Sequence, residues 1–262
     1  MIREAKAEDF PYIKEISELT WEGHDYLAKV FFSWLEDGNF YVIEENRKVV
    51  GTAKLTILPC GVGWLEGLRV HPKYRGRGLA KRLHEFMISL ANELISVNAL
   101  MYATYFKNEA SIRLGLKYGF KIFRRFYQMV KEPKTGVRPR TITLKDLPDI
   151  DLFPLGWLFL RKCGDTLNWT SKRVNSYAVD DAIFFHPKEP PTSFTLLRYN
   201  EKTLLRALDG MNYVAREMGR NVNLMIPEDM PHLVKLLRER GFKQWEDGEP
   251  DVLIFELKLR PR

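Results

Sequence analysis

In the first half of the chain, β-rich segments alternate with segments whose apolar residues have helical spacing, and this order predicts strands that alternate with helices. Short β-rich runs read "MIREA", "NFYVIEENRKVVGTAKLTI" (a hairpin that turns at "ENRK"), "GWLEGLRV", "ALMYATY" and "GFKIFRRFYQMV". Apolar residues at helical spacing occur between them in "DFPYIKEISEL", "TWEGHDYLAKVFFSWLEDG", "GLAKRLHEFMISLANELI" and "NEASIRLGLKY". This alternation implies a sheet with helices on its faces. We expect an α+β fold in which the β-sheet is twisted and mixed.

A repeat predicts a second domain of the same kind. The segment "ALMYATYFKNEASIRLGLKYGFK" (99–121) aligns without gaps on "NVNLMIPEDMPHLVKLLRERGFK" (221–243) at a constant offset of 122. The intervening "KEPKTGVRPR" is rich in proline, glycine and basic residues, as is typical of a linker. We therefore expect two tandem domains, 1–138 and 139–262. Chance similarity between two strand–helix–strand units is the alternative.

Composition and charge narrow the classes of function. The 262 residues carry 41 Lys+Arg against 34 Asp+Glu, a net charge of +7 that favours anionic partners. The surplus is spread along the chain, which is weak evidence for nucleic acid, and we expect none as a partner. No cluster of Cys and His with metal-ligand spacing occurs, so no metal is expected. A charged start and the lack of a long apolar run lead us to expect a cytoplasmic protein with no membrane contact.

The stretch "HPKYRGRGLAKRL" (71–83) joins a strand that ends at Val70 to a helix. Gly76 and Gly78 would let the backbone approach an anion closely, and Arg75 and Arg77 add positive charge. Unpaired N–H groups at a helix N-terminus bind phosphate well. The stretch therefore predicts a phosphate site, with a basic surface turn as the alternative. It fits neither a Walker A loop nor G-x-G-x-x-G.

The same stretch matches R-x-x-G-x-G/A from Arg75 to Ala80, and a second signature follows at Asn108, Ser111, Leu114, Gly119 and Phe120. Over about residues 1–131 the chain thereby resembles the GNAT acetyltransferases. The resemblance implies that acetyl-CoA is the cofactor and that its pyrophosphate is bound by Arg75, Gly76, Arg77, Gly78, Leu79 and Ala80.

The resemblance implies further cofactor contacts. In this family the strand before the loop splays away from its neighbour, and its free backbone groups pair with the pantetheine arm. Leu68, Arg69 and Val70 occupy that place, and Asn108 matches a position that contacts the cofactor.

Two candidate catalytic residues follow from the same resemblance. Glu66 matches the position of a general base, and its alternative role is a strand-end carboxylate paired with an arginine. The family commonly has a tyrosine seven residues after the asparagine, but this chain has Gly115 there. Tyr118 is the substitute candidate for protonating the leaving thiolate. An ordinary core aromatic and protonation by water are the alternatives.

Within that family, the stretch "GHDYLAKVFFSWLEDGNFYVIEENRKVVG" with "WLEGLRVHP" and "RGRGLA" is similar to the histidine N-acetyltransferases. This implies a small-molecule amine, such as an amino acid α-amine, as substrate. Trp21, Asp25 and Tyr26 lie where family members shape the acceptor pocket. Trp21 and Tyr26 could instead be core aromatics, and Asp25 could pair with an acceptor ammonium or cap a helix.

The second half lacks the loop. Aligning "GLRV" (67–70) with "LLRY" (196–199) leaves the second copy seven residues short, the length of "HPKYRGR". The chain there passes directly into a helix for which Asn200 is the expected cap. We expect this half to bind no CoA and to cover the acceptor side of the first domain, or else to serve dimerisation or stability.

These observations lead us to expect an N-acetyltransferase that works by direct attack of a primary amine on the thioester. The alternatives are a catalytically silent CoA-binding regulator, and an acetyltransferase that acts on a protein N-terminus or a lysine. An RNA-binding module using the basic loop lacks the accompanying RNP-like or KH-like motif. Monomer and homodimer both stay open.

Overall fold

The computed structural model describes residues 1–23, 25–189, 193–246 and 248–259. The strands are β1 Ile2–Glu4, β2 Phe40–Glu45, β3 Lys48–Leu58, β4 Val62–Val70, β5 Ala99–Tyr105, β6 Lys121–Lys131, β7 Arg140–Ile142, β8 Leu152–Leu155, β9 Leu158–Arg161, β10 Val174–Val179, β11 Ala182–Pro187, β12 Thr195–Leu196, β13 Val222–Pro227, β14 Lys243–Gln244 and β15 Val252–Lys258. The helices are α1 Phe10–Glu18, α2 Leu27–Asp37, α3 Leu79–Glu93, α4 Glu109–Lys117, α5 Thr166–Ser171, α6 Glu201–Glu217 and α7 Pro231–Glu239.

Contacts group the chain into two compact units. The first comprises Met1–Tyr102 with Glu256–Arg262, and the second comprises Ala103–Phe255. The divisions fall within β5 and β15. The domain boundary that we expect near residue 138 is inferred from the sequence repeat, and it stays a prediction.

The first unit is built on the strand order β1–β2–β3–β4–β5. Neighbours are antiparallel from β1 to β4, whereas β4 and β5 are parallel. The β2–β3 hairpin turns at Asn46 and Arg47, whose φ angles of 50° and 64° are both positive, as a tight two-residue hairpin requires. The predicted position of this turn is confirmed.

Helices pack on this sheet and supply its core. The apolar cluster below α1 and α2 contains Ile13, Ile16, Leu27, Val30, Phe31, Trp34, Phe40, Val42 and Val49, all buried. On α3 the buried apolar residues recur at helical spacing, namely Leu79, Leu83, Met87 and Ala91. A mixed sheet flanked by helices confirms the predicted fold class.

In the second unit, β13 and β14 both pair antiparallel with β6, β12–β11–β10–β7 form a four-stranded sheet, and β8–β9 form a hairpin. The second copy of the repeat contains β13, α7 and β14, so its predicted order of strand, helix and strand is confirmed. The side chain of Asn200 accepts the backbone N–H of Thr203 at 3.0 Å and caps α6, as predicted. Among the described helices, none has the length and apolarity to span a bilayer.

Candidate active site

A bulge in β4 sets the geometry of the site. Lys54 lies opposite Glu66 and Thr52 lies opposite Arg69, so two steps along β3 correspond to three along β4. Gly67 lies within this bulge with φ +63°, the left-handed conformation that a glycine bulge uses. Because residues two apart on β3 share a face, the bulge places Glu66 and Arg69 on one face of the sheet.

Gly67 is fixed by close packing as well as by its backbone angle. A Cβ atom at this position would lie 2.4 Å from Cζ3 of Trp34, which is shorter than van der Waals contact allows. Trp34 belongs to α2 and packs edge-on against Tyr26 and Phe40 at 6.0 and 5.3 Å between ring centroids. Helix α2 therefore requires a glycine where the strand bulges.

Glu66 is a partly buried carboxylate with one short hydrogen bond. The Thr56 hydroxyl donates to Oε1 of Glu66 at 2.5 Å. Burial raises the pKa of Glu66 to about 7, and this outweighs the Thr56 hydrogen bond and the charge of Lys54, which both lower it. A carboxylate with this pKa is divided between its two protonation states near neutral pH, which suits a general base.

A buried ammonium lies beside this carboxylate. Lys54 has no exposed surface, and its Nζ donates to the Asp37 carboxylate at 2.5 Å and to the Leu55 carbonyl at 3.1 Å. The two partners differ in exposure, because Lys54 is buried whereas the Asp37 side chain at the end of α2 is half exposed. Sequence reasoning missed Lys54, since a lysine in a strand is expected to point to solvent.

Arg69 is held by Asp25 through two hydrogen bonds. Its Nε and Nη2 donate to Oδ2 and Oδ1 of Asp25, each at 3.0 Å, and its Nη1 donates to the Leu68 carbonyl at 3.1 Å. The backbone N–H of Tyr26 also donates to Asp25, at 2.9 Å. The buried Asp25 carboxylate therefore binds an arginine. This differs from both roles expected for Asp25, which were to pair with an acceptor ammonium or to cap a helix. Glu66, whose alternative role was to pair with an arginine, bonds to a threonine.

Trp21 and Tyr26 are both close to Arg69, but they differ in burial. The Trp21 ring lies 4.3 Å from Cζ of Arg69 and is 58% exposed, so Trp21 is not a core aromatic. Trp21 has φ +47°, which is unusual for a bulky residue. Tyr26 is partly buried, with its ring 5.9 Å from the same Cζ. Burial, and then the charge of Glu66, raise the pKa of Tyr26 above its ordinary value.

The start of α3 has the features of an anion site. Gly76 and Gly78 have φ of +78° and +75°, and α3 begins directly after them with no side-chain cap from any described residue. The first N–H groups of a helix have no intrahelical partner, so they are available to a ligand. A Cβ atom at either glycine would meet no described atom within 4 Å, so this backbone is open to an approaching group.

Basic side chains flank these glycines. Arg75 and Arg77 are exposed. Nε of Arg75 donates to the Val70 carbonyl at 3.2 Å, and Nη1 of Arg77 donates to Glu45 at 3.3 Å. His71 is buried, and its Nδ1 accepts the Lys73 N–H at 3.2 Å, which makes it part of the turn out of β4. The residues therefore fit a phosphate, because two arginines lie beside the uncapped start of α3.

The strand before this loop has an open edge. Pairing between β4 and β5 covers only Val62–Trp64 with Ala99–Met101. In the strand pairings of the described residues, the Leu65–Val70 segment of β4 has β3 as its one neighbour. On its other side the Leu68–Val70 segment therefore faces no strand of the described ladders, although the Leu68 and Val70 carbonyls accept hydrogen bonds from the Arg69 and Arg75 side chains. Its pairing with a pantetheine arm stays a prediction.

Two predicted site residues belong to the second unit. Oδ1 of Asn108 accepts the backbone N–H of Ser111 at 3.2 Å and caps α4. Tyr118 is partly buried at the end of α4, where its N–H donates to the Gly115 carbonyl at 3.0 Å. The roles expected for Asn108 and Tyr118 stay predictions.

Comparison with known proteins shows which family the chain resembles. The sequence model described as "Acetyltransferase (GNAT) family" matches residues 2–120. A histidine N-acetyltransferase from Oreochromis niloticus is 38% identical over 89 residues, which are 33% of this chain and 26% of that protein. The corresponding protein from Xenopus tropicalis is 35% identical over 89 residues, 33% of this chain and 28% of that one. The match thus spans little more than a quarter of these curated relatives.

Two solved structures share the fold over nearly the whole chain. A proposed acetyltransferase from Thermoplasma acidophilum has a TM-score of 0.63 at 18% identity, covering 99% of this chain and 100% of that one. A proposed acetyltransferase from Pyrococcus horikoshii has a TM-score of 0.69 at 14% identity, covering 99% and 89%. At these identities the likeness shows the fold alone.

Proposed function

We propose, on the premise that this chain belongs to the GNAT acetyltransferase family through residues 2–120, that its N-terminal half transfers an acetyl group from acetyl-CoA to a primary amine of a small molecule. The observation that carries the proposal is the placement of Glu66. A carboxylate with a pKa of about 7 lies on the same strand that leads into the glycine-rich start of α3. A base and a phosphate site on one continuous segment suit acyl transfer from a nucleotide-linked thioester.

The residues present fit acetyl-CoA as cofactor. The uncapped N–H groups at the start of α3, with Arg75 and Arg77, would hold the pyrophosphate. The open edge of Leu68–Val70 would hydrogen-bond the pantetheine arm. Bound acetyl-CoA supplies an activated carbonyl with a thiolate as leaving group.

Glu66 has the task of preparing the nucleophile. A primary amine is mostly protonated at neutral pH, and it must lose that proton before its lone pair can form the new C–N bond. Ionised Glu66 accepts the proton directly or through one water, which a pKa of about 7 allows near neutral pH. Formation of the C–N bond would be accompanied by loss of the C–S bond, and the departing thiolate would need a proton. Tyr118 stays the sequence-based candidate for its donor, with water as the alternative.

The acceptor proposed here is a small amine, with an amino acid α-amine favoured. Relatives named histidine N-acetyltransferase support that choice, although they match a third of this chain. A cytoplasmic location and a tandem arrangement with a CoA-free second half belong to the same proposal.

Turnover tests the proposal directly. The full chain is incubated with acetyl-CoA and a panel of free amino acids, polyamines and peptides, and products are identified by mass spectrometry against a sample without protein. We expect an acetyl group on one or more free amines. Binding of acetyl-CoA with no amine ever modified would favour the silent regulator. Modification confined to peptide N-termini or lysines would favour a protein acceptor.

A further inference from the structure

The guanidinium of Arg69 has two N–H groups beside the proposed base that its bonds to Asp25 and Leu68 do not use. An arginine side chain carries five N–H donors in a planar arrangement. Nε uses its one donor and Nη2 uses one of its two on Asp25, and Nη1 uses one of its two on the Leu68 carbonyl. These three bonds leave one N–H on each Nη, and the Tyr26 hydroxyl makes a further, weak contact with the guanidinium. Two such N–H groups form a fork that matches the two oxygens of a carboxylate.

This fork is held in place before any ligand arrives. The Asp25 side chain is wholly buried, and its two bonds fix the guanidinium plane from the opposite side. The Trp21 ring covers the guanidinium at 4.3 Å from Cζ. The Arg69 side chain keeps 14% of its surface exposed, so part of it reaches solvent. An arginine oriented in this way loses little conformational entropy when it binds an anion.

The bulge sets the spacing between this fork and the base. Glu66 and Arg69 face residues two apart on β3, so their Cα atoms are separated by about two strand residues, roughly 7 Å. Both side chains extend from the same face. A ligand between them could therefore present an amine to one and a carboxylate to the other if the two groups are only a few bonds apart.

We propose that Arg69 anchors a carboxylate of the acetyl acceptor, so that the site takes amines with a carboxylate close to the amine. The inference rests on the proposed function and names the feature of the acceptor that the site selects. Asp25 then acts as a positioning residue, because it holds the guanidinium and does not touch the acceptor. The expectation that Asp25 binds the acceptor ammonium is replaced by this role.

The wild-type protein provides the first test. Each L-amino acid that is acetylated is compared with its own carboxamide, which keeps the amine and the side chain and removes the charge. Rates are expressed per unprotonated amine, because the amide lowers the pKa of its neighbouring amine. We expect kcat/KM for the acid to exceed that for the amide by about 10- to 100-fold, the effect of a charged hydrogen-bonded pair, mainly through KM. Equal values, or a preference for the amide, would overturn the proposal.

Matched variants provide the second test. In Arg69→Lys a point charge replaces the fork, and the ratio of acid to amide should fall at least tenfold. Arg206→Lys is the control, since Arg206 is exposed and pairs with Asp180 at 3.5 Å. In Asp25→Asn the ratio should also fall, with a raised KM for the acid. The ratio is taken within each variant, so general damage cancels. A ratio unchanged in both Arg69→Lys and Asp25→Asn would contradict the anchor.

A binding measurement separates the anchor from the reaction. With CoA in place of acetyl-CoA no transfer occurs, and calorimetry can compare the affinities of an amino acid and its amide. If no amine is ever acetylated, the proposed function fails, and the calorimetric preference still decides the anchor. If acids and amides are acetylated equally and bind equally, the proposed function holds and the anchor is refuted. If the variants do not fold, the comparison of acids with their amides in the wild-type protein still decides whether the anchor exists.

Discussion

Lys54 lies directly opposite Glu66 in the β3–β4 ladder, yet its ammonium makes its hydrogen bonds to Asp37 and to the Leu55 carbonyl. It therefore acts on Glu66 through its charge. Burial raises the pKa of Glu66, and the positive charge of Lys54 opposes that rise. The value of about 7 is thus a balance that the strand pairing sets.

Removing the charge of Lys54 should shift the pH dependence of the proposed reaction. In Lys54→Met the pKa of Glu66 loses a lowering influence, while the nearby Asp37 carboxylate continues to raise it. The acid limb of the kcat/KM profile should move to higher pH by on the order of one unit. Lys48→Met is the control, because Lys48 is on the same strand but pairs with Glu15. Coincident profiles for wild type and Lys54→Met would show that Lys54 does not tune the base.

Gly78 should be essential for cofactor binding and dispensable for folding. In Gly78→Ala the new Cβ meets no described protein atom within 4 Å, so it projects where a phosphate would approach. We expect acetyl-CoA affinity by calorimetry to fall at least tenfold. Gly219→Ala, also left-handed with φ +61° and open surroundings, carries similar strain and serves as the control. Undiminished affinity in Gly78→Ala would remove α3 from the cofactor site.

Gly67 should be far more sensitive to substitution than its backbone angle alone explains. In Gly67→Ala the left-handed strain of about 1–2 kcal/mol adds to a clash with the Trp34 ring worth about 1–3 kcal/mol. Gly219→Ala has the strain without the clash, so the difference between their free energies of unfolding in urea isolates the packing. Equal losses in the two variants would mean that the Trp34 contact relaxes freely.

The Arg3–Asp9 pair should make stability depend on acid pH. Both Nη atoms of Arg3 donate to the largely buried Asp9 carboxylate at 2.8 Å. Burial favours a higher pKa for Asp9, but the Arg3 bonds and the Lys6 backbone N–H outweigh it and lower the pKa. The pair therefore stabilises the fold above the unfolded pKa of about 3.9, and the stabilisation is lost as pH falls through the lowered value.

Urea unfolding tests the direction in which the stabilisation by this pair changes with pH. At pH 7 Arg3→Met should lose about 3 kcal/mol, because it leaves a buried charge unpaired, and the loss should shrink towards roughly pH 3. Lys14→Met removes an exposed pair with Glu18 and should cost under about 0.5 kcal/mol at either pH. A loss in Arg3→Met that did not change with pH would contradict the assignment.

The elements of the first unit are predictable because their patterns are local. The strand and helix runs follow from apolar periodicity, and the β2–β3 turn follows from its short polar stretch. The cap at Asn200 depends on a contact only three residues away, which is why the sequence predicts it.

The geometry of the site depends on tertiary contacts that the sequence does not display. Strict alternation would place Glu66 and Arg69 on opposite faces, and only the bulge at Gly67 reverses this. A glycine within "WLEGLRV" is the signal that could have indicated it. The bond between Asp25 and Arg69 joins residues 44 apart, and the burial of Lys54 depends on α2 reaching it. Neither leaves a local pattern.

Glu66 is the centre of the account, and the pH dependence of its conservative variant tests that most directly. The wild-type kcat/KM should rise with pH through an acid limb near the Glu66 pKa of about 7. In Glu66→Gln, kcat should fall by about 10²–10⁴ and that limb should vanish, while acetyl-CoA affinity is retained and the exposed control Glu8→Gln behaves as wild type. A Glu66→Gln protein with wild-type rate and an unchanged acid limb would contradict the account.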